Sequence, residues 1–182
     1  MDKGYSQPGA WAVIYCSATG KFLMGKRSSK VNKSGAWNLF GGRIDSGERP
    51  REALVRELGE EAGLSIKPRH LAKLHTLTRR FNSGQNDRDM HYFVIKAERE
   101  FSPRLNREHS DFRWFTAKQL PSRFNGPTSI AIKKGLLEKA ASHSIRRRRM
   151  AIRVSIGQDS GFIVRRRRVV NAPATGSNRL PA

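Results

Sequence analysis

Three glutamates, Glu57, Glu60 and Glu61, are spaced i, i+3 and i+4. On a helix that spacing puts them on one face within a single turn. Like charges so placed repel, each pair by roughly a few tenths of a kcal/mol. A hard divalent cation removes that repulsion. Mg2+ takes oxygen ligands, keeps several waters and is commonly shared between carboxylates and substrate phosphates. The neighbouring residues fit the same chemistry. Arg56 can steer an adjacent carboxylate, and Glu52, four residues before it, makes a favourable helical ion pair with it. Gly41-Gly42 and Gly47 allow a tight loop through which the backbone approaches a metal or a phosphate closely. Glu48, near the helix start, is placed to coordinate metal or to pair with arginine.

The stretch from Gly42 to Leu64 reads glycine, five residues, Glu48, seven residues, then Arg56-Glu57-Leu58-Gly59-Glu60-Glu61-Ala62-Gly63-Leu64. It resembles the signature of the Nudix hydrolases, and every specified position of that signature is met. The resemblance is direct over residues 42–64 and extends through the order of the elements over residues 8–140. It implies an α/β fold, an α/β/α sandwich around a mixed β-sheet, with a loop–helix–loop that binds Mg2+ or Mn2+. It implies Glu57, Glu60 and Glu61 as metal ligands, with the Gly42 carbonyl and Glu48 as further candidates. One of these carboxylates, or a glutamate on a later loop, would activate the water that attacks phosphorus. The candidate catalytic residues are therefore Glu57, Glu60, Arg56 and Glu108. Phe40 stands where family members often carry proline before the glycine pair, which bears on loop shape and substrate.

Outside the signature, Glu108-His109-Ser110-Asp111-Phe112-Arg113-Trp114-Phe115 resembles a later family segment in which a glutamate precedes an aromatic strand. Glu108 is the candidate extra ligand or base. His109 beside a strand reads as structural rather than catalytic. Trp37, Phe40, Phe81 and Tyr92 are candidates to stack a base, although most such aromatics are core. Arg27, Arg79 and Arg80 can hold phosphate through bidentate bonds. The substrate-contact set is thus Arg27, Phe40, Arg79 and Phe81, and the polar loop around Gly84 sits where a substrate-covering loop could be. The extra marks of the ADP-ribose, dinucleoside polyphosphate, coenzyme A and NADH subclasses are absent, so the substrate is a nucleoside diphosphate joined to a group the sequence does not name.

The elements that must carry these residues alternate. Ala10 to Cys16, Phe22 to Lys26, His70 to Thr78, His91 to Ala97 and Phe112 to Phe115 read as strands, and Trp37 to Phe40 as a short apolar segment. Residues 50–62 read as a helix, started by Pro50 and stopped by Gly63. Residues 128–142 read as one further helix, with a brief helical turn at 117–120 before it.

The chain has 182 residues, 37% of them hydrophobic, and a formal net charge of +21. A field of that sign attracts polyanions. The lone cysteine, Cys16, sits in an apolar run and excludes an internal disulfide framework, which with no apolar targeting or spanning stretch points to the cytoplasm. Lysine stops near residue 140. Residues 141–182 hold ten arginines and one acid, Asp159, for a net +9. The expected division is a hydrolase domain over 1–140 and a basic C-terminal extension over 141–182, partly disordered or a small hairpin. Its two arginine blocks, Arg146, Arg147, Arg148, Arg149 and Arg165, Arg166, Arg167, Arg168, are candidates to bind RNA or DNA. Three functions follow: a metal-dependent pyrophosphohydrolase of a small nucleotide derivative; an RNA 5′-end or cap pyrophosphohydrolase that holds RNA with the extension; or a non-catalytic nucleic-acid-binding or assembly protein. The intact carboxylate triplet argues against the third.

Overall fold

Strand β1 (Gly9–Cys16) alternates its side chains between two buried faces, with Ala10, Ala12 and Ile14 on one and Trp11 and Val13 on the other. A strand buried on both sides belongs at the centre of a sheet covered by helices. The computed structural model, which describes residues 7–79, 88–143 and 155–156, places it there. β1 runs parallel to β7 (Arg88–Ala97) and antiparallel to β2 (Lys21–Arg27). Beyond these lie β3 (Trp37–Asn38) on β2 and β6 (Ala72–Arg79) on β7. Two short strands fork the sheet: β4 (Phe40–Arg43) pairs with the first half of β1, and β8 (His109–Phe115) with β2.

Helix α1 (Pro50–Ala62) covers one face through Leu54, Leu58 and Ala62, which join Ala12, Ile14, Phe40 and Ile95. Helices α2 (Gly126–Lys133) and α3 (Leu136–Ser142) cover the other through Ala131, Leu136, Leu137 and Ala140, against Trp11, Met24, Tyr92 and Val94. The chain is therefore an α/β/α sandwich around a mixed sheet, the fold class the resemblance implied.

Three elements differ from expectation. The helix expected over 128–142 is two, broken at Gly135, whose φ of 63° is left-handed; the apolar spacing continues across the break and hides it. The segment Trp37 to Phe40 is divided between β3 and β4, because consecutive stretches pair with different neighbours. His70 belongs to a 3-10 turn at Pro68–His70, and the strand begins only at Ala72. The short strands β5 (Leu64–Ser65) and β9 (Ser155–Ile156) pair antiparallel, so one point of the C-terminal extension meets the domain just past α1. Phe81, Arg80 and both arginine blocks lie outside the described residues, as does the side chain of Arg79. Among the described residues no helix is long and apolar enough to cross a membrane.

Candidate active site

The site is built where α1 faces the start of β4. Pro50 occupies the first turn of α1, and the Glu52 carboxylate accepts from the Arg49 backbone N–H at 3.2 Å. Glu52 thus caps the helix, and the expected pair with Arg56 does not form. At the other end Gly63 is left-handed (φ 65°) and its N–H closes onto the Leu58 and Gly59 carbonyls, so the three glutamates occupy the last turns.

Two glycines bring β4 against this helix. Gly41 has φ 129°, and a Cβ there would collide with the Ala10 carbonyl oxygen of β1. A Cβ on Gly42 would lie 2.5 Å from Glu57 Oε1. The glycine pair therefore lets a backbone segment pass between β1 and a carboxylate. The Gly41 N–H donates to Glu61 Oε2 at 2.8 Å and anchors that side chain.

Arg56 organises the acids. Its Nε and Nη2 donate to the two oxygens of Glu48, both at 2.9 Å, a bidentate pair. Its Nη1 donates to Glu57 Oε1 at 3.0 Å and stands 3.5 Å from Glu60 Oε2. Its Nη2 also reaches the Arg43 carbonyl at 3.1 Å. Glu48 Oε2 further accepts from the Asp45 N–H. With both oxygens engaged, Glu48 holds Arg56, the second of the two roles expected of it. The Arg56 hydrogen bond keeps the Glu48 carboxyl low, at about 2.

A cleft of about 870 Å³ opens over these residues. Glu57, Glu61 and Glu108 line it together with Gly41 and Gly42, and so do Arg27, Lys33, Trp11 and Asn125. Burial raises the Glu57 carboxyl, with Glu60 and Glu108 adding to the rise against Arg56. Glu61, 5% exposed, is pushed up to about 8 by burial, with Glu57 and Glu108 adding and the Gly41 N–H opposing. Glu60 is 58% exposed and lies outside the lining. Phe40 is fully buried in the core beneath α1, its ring centroid 5.0 Å from that of His109, so no substrate reaches it; this corrects its candidacy. Trp37 and Tyr92 are core as well. His109 is buried, contacts Asn38 Oδ1 through Nε2 at 3.1 Å, and is held to about 4 by burial and by Arg27, which makes it a neutral packing residue.

Sequence reasoning missed Trp11, Lys33 and Asn125. Trp11 passed for an ordinary β1 residue, and it does pack on Tyr92 at 5.8 Å between ring centroids. Asn125 carried a readable signal: as N-cap of α2, followed by Gly126-Pro127, its Oδ1 accepts from the Thr128 N–H at 3.1 Å. Asn125 also lines the cleft.

The donors fit a hard divalent cation in kind. Three carboxylates share the cleft, and each of Glu57 and Glu61 is raised chiefly by burial and further by its acidic neighbours. They do not form a finished cage: among the described residues no three His, Cys, Asp or Glu side chains converge closely enough to hold a metal ion. The structure thus presents the donor set and not the coordination geometry.

Fold and cleft together define a hydrolase of phosphoanhydride bonds. The NUDIX domain profile matches residues 6–133. The chain is 31% identical over 118 residues to the dihydroneopterin triphosphate diphosphatase of Haemophilus influenzae, covering 59% of this chain and 72% of that protein. It is 42% identical over 45 residues to the CTP pyrophosphohydrolase of Escherichia coli, a match to 25% of this chain and only 33% of that one. A Nudix hydrolase from M. smegmatis shares the fold with a TM-score of 0.62 at 20% identity, over 78% of this chain and 91% of its own. The chain belongs to the NUDIX family.

Proposed function

We propose that the chain is a divalent-metal-dependent pyrophosphohydrolase that cleaves a triphosphate attached to one planar heterocyclic moiety, by attack of water at phosphorus. The observation that carries this reading is the single cleft lined at once by Glu57, Glu61 and Glu108 and by Arg27, Lys33, Trp11 and Asn125. Two similar proteins are named for triphosphates of this kind.

Glu57, Glu61 and the Gly42 carbonyl would hold the metal, with the exposed Glu60 and Glu108 as the further carboxylates. A bound Mg2+ or Mn2+ would neutralise phosphate charge and lower the pKa of a water. The protein's own residues do the rest. Arg56 fixes Glu57 through one oxygen, and Glu57 lines the cleft. Arg27 offers a guanidinium to the phosphate chain. The Asn125 NH2 can donate to a ring acceptor, and the edge of Trp11 offers an apolar wall to the heterocycle. A cleft carboxylate, Glu57 or Glu108, accepts the proton from the attacking water. Water, and not a side chain, is the nucleophile in this reading, so it has no covalent intermediate.

The test is a panel of pterin, pyrimidine and purine triphosphates beside nucleotide sugars and capped RNA, with products resolved as pyrophosphate or orthophosphate and run in oxygen-18 water. Pyrophosphate from a triphosphate, with label entering a phosphorus-bearing product, is expected. Activity in excess chelator, or turnover confined to nucleotide sugars or RNA ends, overturns it.

A further inference from the structure

Away from the catalytic cleft, a basin of about 530 Å³ lies between the first turn of α1, the 3-10 turn at Pro68–His70, and strands β6 and β7. It shares no lining residue with the cleft among the described residues. Four cations among the described residues line it, Arg49, Arg51, Arg69 and Lys73, against one carboxylate, Glu52, one oxygen of which accepts from the Arg49 N–H. Among the described residues none of the four cations is in an ion pair. Arg51 is held in place: its Nε donates to the Leu71 carbonyl at 3.2 Å and its guanidinium lies 5.6 Å over the Phe93 ring. Its two Nη groups have no hydrogen-bond partner among the described residues. His91 adds a ring edge, with Nδ1 at 3.2 Å from Thr76 Oγ1.

We propose that this basin is a second, non-catalytic site that binds a compact polyphosphate, a pyrophosphate or the phosphate chain of a nucleotide. Four like charges around a concavity repel each other, and an anion with several oxygens relieves that repulsion through charge-assisted hydrogen bonds. Arginine forks match phosphate oxygens two at a time, and the positive end of α1 adds to the attraction. The basin is broadly open to solvent. Its aromatic, Phe93, is 3% exposed beneath Arg51 and gives bases no stacking platform. Single-stranded nucleic acid is held by such platforms along a groove, so a short phosphate chain fits this site better than a nucleic-acid strand.

The His91 ring gives a local readout that the arginine blocks of the extension do not share. In the full chain, with metal chelated, inorganic pyrophosphate is titrated while the His91 ring signals, assigned with His91→Gln, are followed by NMR. The signals move saturably, and the double variant Arg69→Ala/Lys73→Ala needs about tenfold more pyrophosphate for the same movement, the loss expected for one or two charge-assisted bonds. Neither replaced side chain makes a hydrogen bond or ion pair in the structure, so the variant folds, and its triphosphate hydrolysis with metal present stays within about twofold of the parent. Ring signals that do not respond to pyrophosphate, an unchanged titration in the variant, or hydrolysis lost with it would each overturn the proposal. So would a single-stranded RNA oligomer that moves the signals at lower phosphate concentration than pyrophosphate does.

Discussion

Arg56 is the residue on which the acidic cluster turns. It alone contacts Glu48, Glu57, Glu60 and the Arg43 carbonyl. Replacing it with alanine leaves Glu48 and Glu57 without their cation and is expected to cost about 1–3 kcal/mol of stability, as for loss of charge-assisted bonds in a partly exposed setting. Arg56→Lys should restore only part of this, because an ammonium cannot make the bidentate pair with Glu48. Chemical denaturation of both variants checks it, and equal stability of the lysine variant and the parent would contradict the bidentate role. At Glu61, substitution by glutamine keeps the volume and can still accept from the Gly41 N–H. Its expected effect is therefore on rate, a fall on the order of a hundredfold in kcat with the fold retained, as when charge stabilisation at a reacting phosphate is lost. Turnover and circular dichroism on the same sample separate the two. The sequence disclosed these residues because their spacing is itself the chemistry. It misled at Phe40 and on the partner of Glu52, since whether a side chain faces core, cap or cleft depends on which strand or turn meets it.

At the scale of elements, the bounds of α1 were legible because proline and glycine punctuate it and glutamates repeat within it. The fork of β1 between β2 and β4 was not, because pairing between distant segments leaves no periodic mark. Gly41 is the pivot of that fork. Gly41→Ala forces a side chain into a left-handed backbone and against the Ala10 carbonyl, and should destabilise by about 2–4 kcal/mol, measured by thermal or denaturant unfolding. The β8 element carries a pH-dependent cost through His109. An unfolded histidine titrates near 6.5, and the buried one is lowered to about 4. The unfolded chain therefore takes the proton first as pH falls. The stability owed to a neutral His109 is complete above about pH 6.5 and is lost as pH falls from there toward about 4. From about pH 7.5 to about pH 5 the loss from this group is about 2 kcal/mol. His109→Gln, which cannot titrate, should flatten the stability–pH curve by that amount, and an unchanged slope would mean that His109 is protonated without penalty in the fold.

For the whole molecule the dominant fact is a net charge of +21, of which residues 141–182 contribute +9. Lysine usage stops near residue 140, and the family profile matches residues 6–133. What composition could not show is that Ser155–Ile156 returns to pair with Leu64–Ser65 beside the end of α1. A deletion after Ser144 therefore removes two things, an arginine-rich field and a two-residue strand. The strand contributes few backbone bonds, so its loss should lower stability by only about 1 kcal/mol. Among the described residues the cleft lining ends at Asn125, so kcat for a small triphosphate should stay within about twofold. The field should matter for association: a highly charged body draws anions, and screening by salt weakens that draw. In the full chain kcat/KM should fall as salt rises, and the truncated chain should show a shallower fall together with a collapsed salt slope for RNA binding, since each neutralised phosphate contributes about −0.7 to −0.9 to the log–log slope. RNA affinity untouched by the deletion would put the polyanion contact on the domain itself. Loss of small-substrate turnover would instead show that the β5–β9 pairing supports the end of α1, and with it the glutamates that α1 carries.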